Sequence, residues 1–334
     1  MTINMGVIGA GRIGKVHAES LVYHIPEANV LAVADVVVES AQSLAQQLNI
    51  LTATADYEDV LAIPEVDAVV ICSSTNTHTE IIEKAAAAGK HIFTEKPIDL
   101  DLKKIDRALR KVEEAGVKLQ VGFNRRFDPN FSRIRQAVET GEIGEPHMLH
   151  IMSRDPSPPP IEYVRVSGGI FVDMMIHDFD MARFLIASEV EEVYTAGAVR
   201  VDPAIGKAGD LDTAIVVLKF ANGVIGTIDN SRQAVYGYDQ RVEVFGSKGS
   251  VSTGNNYPNQ VTISTGENVR RDLPLNFFME RYTGSYIREI KAFVDAIAND
   301  RPVPVTGIDG RIPVAIGLAA RKSYDENRPV KVNL

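Results

Sequence analysis

The chain has 334 residues, 45% of them hydrophobic, with a formal net charge of −9 and one cysteine. That length suits two domains of ordinary size, and that apolar share suits a packed core. The acidic balance and the lack of a basic run argue against a nucleic-acid surface, and a lone Cys72 rules out a disulfide framework or a multi-cysteine metal site. Cys72 lies in the apolar run AVVICSS and is expected to be a buried, inert thiol. The start, MTINMGVIGAG, enters the fold with no leader, and no apolar run is long enough to span a bilayer. A soluble, cytoplasmic protein is therefore expected.

The first predicted strand, Met5 to Ile8, breaks into Gly9-Ala10-Gly11-Arg12-Ile13-Gly14, and a helical pattern follows. A G-x-G-x-x-G string alone is weak, but between a strand and a helix it has the context a dinucleotide-binding turn needs. Gly9 permits the tight turn, Gly11 lets backbone approach a pyrophosphate, and Gly14 lets helix and strand pack closely. The second strand, VLAVAD, ends in Asp35. That acid stands about 20 residues past the glycines, where such folds place a ribose-binding carboxylate. Val36, Val37 and Val38 follow, with no basic residue for a 2′-phosphate, so NAD is expected rather than NADP.

Alternation continues through the strand DAVVICSS, the helix TNTHTEIIEKAAAAG, the strand KHIFTEKP, the helix LKKIDRALRKVEEAG and the strand VKLQVGFNRR. Alternating strands and helices imply an α/β fold with a parallel, doubly wound sheet, and ligands bind at the carboxyl ends of its strands. Polar clusters sit at those ends: Asp35, Ser73-Ser74-Thr75-Asn76, Glu95-Lys96 and Asn124-Arg125-Arg126. The rhythm then changes. After a connecting helix, FSRIRQAVETGEIG, come strands PHMLHIMSRD, EEVYTAGAVRV, DTAIVVLKF, GVIGTIDNSRQ, QRVEVFGSKGSV and QVTISTG. Turn signals between them predict a large, mostly antiparallel open sheet in a second, α+β domain. The boundary is placed so that residues 1–123 form the cofactor domain and 124–334 the substrate and oligomerisation domain, with the last helix packing back on the first domain. DTAIVVLKF is apolar on both faces, Ile215 and Val217 against Val216, Leu218 and Phe220. Helices on one side and another subunit on the other would satisfy both, so a homo-oligomer is expected.

Residues 168–184, GGIFVDMMIHDFDMARF, predict a helix that is apolar almost all round and therefore buried. Yet it carries Asp173, His177, Asp178 and Asp180. On a helical wheel Asp173 and His177 fall about 40° apart and Asp180 about 20° to the other side of Asp173. A capping acid with an internal i,i+4 pair is the plainer explanation. The sharper one is a catalytic stripe facing a dry cleft. An imidazole is a suitable base at neutral pH, and a carboxylate one turn earlier can orient it.

Several ordered motifs together give the chain a family resemblance: EKP at 95–97, GFNRRFDPNF at 122–131, SRDPSPPPIEYV at 153–164, SGGIFVDMMIHDFDMARF at 167–184 and YGYDQ at 236–240. The sequence resembles the glucose–fructose oxidoreductase, inositol dehydrogenase and rhizopine-catabolism family, most of all its inositol 2-dehydrogenase branch. The resemblance implies NAD-dependent oxidation of a ring hydroxyl of inositol in a tetramer, with a sister enzyme acting on a pyranose or other cyclic polyol as the alternative. A non-catalytic NAD-binding regulator is the rival from another class. The resemblance implies that Lys96 is the catalytic lysine, followed by a proline often preceded by a cis bond, that His177 accepts the proton, and that Asp173 orients it or binds substrate. Arg125, Asp155 and Tyr236 would line the polyol pocket together with Lys96, Asp173 and His177. The expected cofactor contacts are Gly9, Gly11, Arg12, Ile13, Gly14, Asp35, Ser73, Thr75, Asn76, His78, Glu95 and Lys96. Ser153 and Asp155 stand where some inositol dehydrogenases have a histidine and an asparagine, which leaves the stereoisomer open. No metal ligand set is read from the scattered histidines.

Overall fold

A computed structural model describes residues 2–334. Chain contacts divide it into two compact units, residues 1–127 with 284–312 and residues 128–283 with 313–334.

In the first unit, β1 (Ile3–Ile8), α1 (Arg12–His24), β2 (Ala28–Ala34), α2 (Val38–Leu48), β3 (Thr52–Thr54), α3 (Tyr57–Leu61), β4 (Ala68–Ile71), α4 (Thr75–Ala87), β5 (His91–Glu95), α5 (Leu102–Ala115) and β6 (Leu119–Gly122) alternate as expected. The strands run parallel in the order β3-β2-β1-β4-β5-β6, the doubly wound arrangement of a dinucleotide fold. β1 and β4 are buried on both sides almost throughout, as a central parallel sheet covered by helices requires. Asp56 and Asp101 begin α3 and α5 by accepting backbone N–H bonds. Residues 284–312 complete this unit: Ile290, Phe293 and Val294 share a core with Ile3, Met5, Val7, Leu21 and Phe93. β3 and α3 carry no period in the sequence that would announce them, because each is too short to repeat one.

The second unit opens with α6 (Pro129–Glu139), capped by Asp128, and then a seven-stranded sheet. Its strands are β7 (Pro146–Arg154), β8 (Val190–Ala198), β9 (Thr213–Phe220), β10 (Ile225–Ser231), β11 (Asp239–Gly246), β12 (Gly249–Thr253) and a terminal Val330–Lys331, in the order β12-β11-β7-β10-β9-β8 and then the terminal strand. Only β7 and β10 pair in parallel, so the sheet is mixed and mostly antiparallel. Val216, Leu218 and Phe220 are buried on one face, whereas Ile215 and Val217 are 49% and 41% exposed on the other. Cross-strand register extends that open face through Tyr194, Ile225, Met148 and Phe245.

Two expectations are corrected here. The segment around QVTISTG does not join the large sheet; Thr262–Ser264 pairs with Val269–Arg271 in a separate, exposed ribbon. The helix expected over 168–184 is broken, because Ile170–Met174 forms a wide π-type turn and the α-helix starts at Ile176 and ends at Ile186. Wheel angles drawn across that break do not apply. Asp180 is wholly buried, while Asp173 and His177 keep partial exposure, so these three do not form one uniform stripe.

Candidate active site

In the first unit the predicted cofactor residues gather at the carboxyl ends of parallel strands. Gly9 sits at φ +102°, and a Cβ there would meet the Cys72 carbonyl at 2.6 Å. A Cβ on Gly14 would lie 1.8 Å from the Gly9 carbonyl oxygen, so α1 packs on this turn only through glycine. Space around Gly11 is open, and α1 starts there with no side-chain cap, leaving backbone N–H groups at a positive helix end for an anion. Arg12 is exposed beside Gly11, and Ile13 is partly buried. Asp35 accepts the Ala10 N–H at 2.7 Å and the Val37 N–H at 2.9 Å. These bonds tie β2 to the glycine turn and leave carboxylate lone pairs for a ribose hydroxyl. The residues present therefore fit a dinucleotide.

Ser73, Thr75 and Asn76 lie at the β4–α4 turn, where the Ser73 hydroxyl bonds Thr77 at 2.7 Å. His78 is placed differently from the expectation. It is 1% exposed, and its ring nitrogens face the carbonyls of Pro97 (2.9 Å) and Ser73 (3.0 Å). Burial lowers its pKa, against smaller opposing effects of those carbonyls. A neutral ring has one N–H, so His78 donates to one of these two carbonyls at a time. Glu95 and Lys96 follow β5, the Lys96–Pro97 bond is cis, and a Cβ on Gly122 would meet the Glu95 carboxylate at 3.0 Å. Arg125 is 5% exposed in the short Asn124–Phe127 helical turn after β6.

In the second unit Asp173 has two partners that pattern reading missed. The Tyr163 hydroxyl donates to its Oδ1 at 2.9 Å, and Nη1 of Arg232 donates to its Oδ2 at 3.4 Å. Arg232 is 1% exposed and also lies 3.5 Å from Asp210, which accepts the Ile170 N–H at the start of the wide turn. One buried guanidinium thus links the carboxylate to the cap of its own turn. Burial, then the Asp173 charge, push the Tyr163 phenol pKa well up, so it stays a donor. The available signal was modest: an arginine directly after strand β10, which must find an acid if buried. His177 lies in the first turn of the α-helix, four residues after Asp173, and next to it Asp178, wholly buried, accepts a bond from Asn230 at 3.0 Å. Asp155 is partly buried after β7, its carbonyl accepting the Ala234 N–H at 2.6 Å. Tyr236 donates to Asp239 at 2.6 Å and accepts from Arg154 at 3.2 Å, so its hydroxyl is part of a charged network. Ser153 is buried against Gln240.

A doubly wound sheet with this glycine turn, joined to a mixed sheet presenting an Asp-x-x-x-His pair, defines an NAD-binding oxidoreductase. Residues 3–123 match the oxidoreductase family's NAD-binding Rossmann fold, and residues 131–252 match the GFO/IDH/MocA C-terminal domain. The chain belongs to the GFO/IDH/MocA oxidoreductase family. It is 50% identical to the myo-inositol 2-dehydrogenase of Thermotoga maritima, over 99% of this chain and 98% of that one. It is 47% identical to the inositol 2-dehydrogenase of Rhizobium meliloti, over 99% and 100%. The solved scyllo-inositol dehydrogenase of Lactobacillus casei, with bound NAD(H) and scyllo-inositol, superposes with a TM-score of 0.93 at 32% identity, covering 99% of each chain.

Proposed function

We propose that the protein is an NAD-dependent inositol 2-dehydrogenase, oxidising myo-inositol to 2-keto-myo-inositol (scyllo-inosose). The observation that carries this is full-length similarity at 50% identity to a relative of that activity, in a chain that keeps Lys96, Asp173 and His177. NAD, when bound, supplies the hydride acceptor. The chain's own residues manage the proton. His177 takes it from the substrate hydroxyl, and the Lys96 ammonium favours the developing alkoxide. Asp173, fixed by Tyr163 and Arg232, orients the imidazole or a substrate hydroxyl. Arg125, Asp155 and Tyr236 are assigned to the polyol. Gly9, Gly11, Arg12, Ile13, Gly14, Asp35, Ser73, Thr75, Asn76 and Glu95 are assigned to the cofactor, and His78 to their support.

The first unit is the cofactor domain and the second the substrate and oligomerisation domain. The open face around Ile215 and Val217 supports assembly, and a homotetramer working in cytoplasmic inositol catabolism is the form proposed. No helix among the described residues is long and apolar enough to cross a membrane. The deciding experiment is NAD reduction with myo-, scyllo- and D-chiro-inositol and with glucose. Efficient turnover of an inositol and little of glucose is expected. Preference for glucose would move the chain to a sister activity, and NAD binding without any turnover would make it a regulator.

A further inference from the structure

Beneath the carboxyl end of β5, Glu95 meets a buried pair of titratable groups that the proposed chemistry does not use. Nε2 of His17, on α1, lies 2.7 Å from Glu95 Oε1. His17 is 0% exposed, its ring set edge-on to Phe93 and Tyr286 at centroid distances of 4.9 and 5.8 Å. Glu289, on the helix Phe278–Ala298, is also 0% exposed, and its Oε1 lies 4.0 Å from the same His17 nitrogen. Among the described residues neither Glu289 carboxyl oxygen has a hydrogen-bond partner. The backbone beside it is held, since Gln120 Nε2 donates to the Glu289 carbonyl at 2.8 Å.

Two carboxyls this close in a dry interior do not both ionise. The wholly buried one keeps the proton: burial, then the Glu95 charge, push Glu289 well above the usual carboxyl range. The other titratable group nearby, the Cys72 thiol, is pushed up by burial and then by Glu95 and Glu289. A charged Glu289 would compete with Glu95 for the single His17 Nε2–H, and a neutral one leaves that N–H to Glu95.

We infer that His17 is a positioning residue that holds the Glu95 carboxylate toward the bound dinucleotide. This rests on the reading of Glu95 as a cofactor contact. NAD affinity measured by titration, beside thermal melting and kcat at saturating NAD, tests it. Loss of one charge-assisted hydrogen bond in His17→Ala should weaken NAD binding roughly tenfold while kcat moves less than about threefold. In a Glu95→Ala background the same change should add nothing. Glu289→Gln, neutral at every pH, should bind NAD as the wild type does. His17→Phe, which keeps a ring against Phe93 and Tyr286 but has no N–H to donate, replaces His17→Ala if the latter does not fold. If Glu95→Ala leaves NAD affinity intact, the reading of Glu95 itself is overturned. If Glu95→Ala weakens binding but His17→Ala only lowers the melting temperature, or if Glu289→Gln weakens binding roughly tenfold, the inference alone fails. The three groups lie close enough to share a metal ion, their ligand atoms falling within 4.8 Å. A stoichiometric divalent cation held by these three groups in the purified protein would likewise overturn the inference.

Discussion

At the scale of single residues, the proton acceptor gives the sharpest expectation. His177→Ala removes a group used in the transition state, and general acid–base contributions run at about 10²–10⁴-fold, so turnover should fall by that order with NAD affinity nearly unchanged. Lys96→Ala should also lower turnover, and the double variant should lose less than the product of the two, because such groups act as a unit. A purely structural His177 predicts instead a lower melting temperature with turnover per folded molecule intact. Both quantities measured on one preparation separate these outcomes. Asp35 offers a second expectation: its carboxylate suits a 2′-hydroxyl and repels a 2′-phosphate, so NAD should be favoured at least tenfold over NADP, about 1.4 kcal/mol. Asp35→Ser should shrink that ratio, and equal wild-type use of NADP would refute the assignment. These residues were legible because their chemistry shows in spacing: glycines at a strand–helix junction, an acid at the next strand end, Asp and His four apart. Tyr163 and Arg232 were not, because their meeting with Asp173 spans 10 and 59 residues of chain and no local pattern records it. His78 shows another limit of spacing, since a polar residue near a site can face inward to backbone carbonyls.

Among the elements, the parallel half was readable from apolar runs alternating with amphipathic stretches, because burial on both faces leaves strands almost wholly apolar. What escaped was set by geometry without period, namely β3, α3, the separate ribbon and the wide turn at Ile170–Met174. That turn sits where an unbroken helix would have advanced Asp173 and His177 along one face. Tight packing yields a prediction at the glycine turn: Gly14→Ala would place a methyl 1.8 Å from the Gly9 oxygen, so α1 must shift. Overpacking of this kind costs about 1–3 kcal/mol and here displaces the anion-binding helix end, so NAD affinity should fall more than the melting temperature alone accounts for. A stability prediction comes from β9 and β11. Burial pushes Asp212 up, but the N–H groups of Arg200, Asp202 and Val201 and the Thr213 hydroxyl together hold it below its usual range. Asp239 is likewise pushed up by burial and held lower by Arg241, Tyr236 and Asn255. A carboxyl whose folded pKa is depressed stabilises fully above the unfolded value, about 3.9, and that contribution is lost as pH falls through the folded value. Urea melts should therefore show no loss from these groups between pH 7 and 5 and a decline below about pH 4, shallower in Asp212→Asn. An equally steep acid limb in that variant would remove Asp212 from the account.

The whole molecule poses the question of its open sheet. Composition allows a core but does not say which apolar residues it takes, and β9 shows why: both faces read as apolar, and only the packed fold shows which one the chain covers itself. Val216, Leu218 and Phe220 are buried, and Ile215, Val217, Ile225 and Phe245 are left 49%, 41%, 51% and 41% exposed. Met148 and Tyr194 extend the patch, and the His150 ring, 2.8 Å from the Thr227 hydroxyl, sits within it. Scattered exposed aliphatics need no explanation, but a contiguous cross-strand set marks an interaction surface. A stable interface covers roughly 800 Å² on each partner, an area that several adjacent strands of one sheet can supply. Charges interrupt the patch, Glu192 and Lys219 standing opposite one another in register, so a second copy could meet it with both apolar contact and charge pairing. Light scattering at micromolar concentration should accordingly report more than one chain. Ile215→Lys with Val217→Glu should shift the protein toward monomer without unfolding it, because these side chains point away from the core. Reduced turnover in that monomer would mean that assembly supports the site, and full turnover that each chain works alone. A wild type that elutes and scatters as a 36.4 kDa monomer would end the assembly proposal while leaving the chemistry of Lys96, Asp173 and His177 untouched.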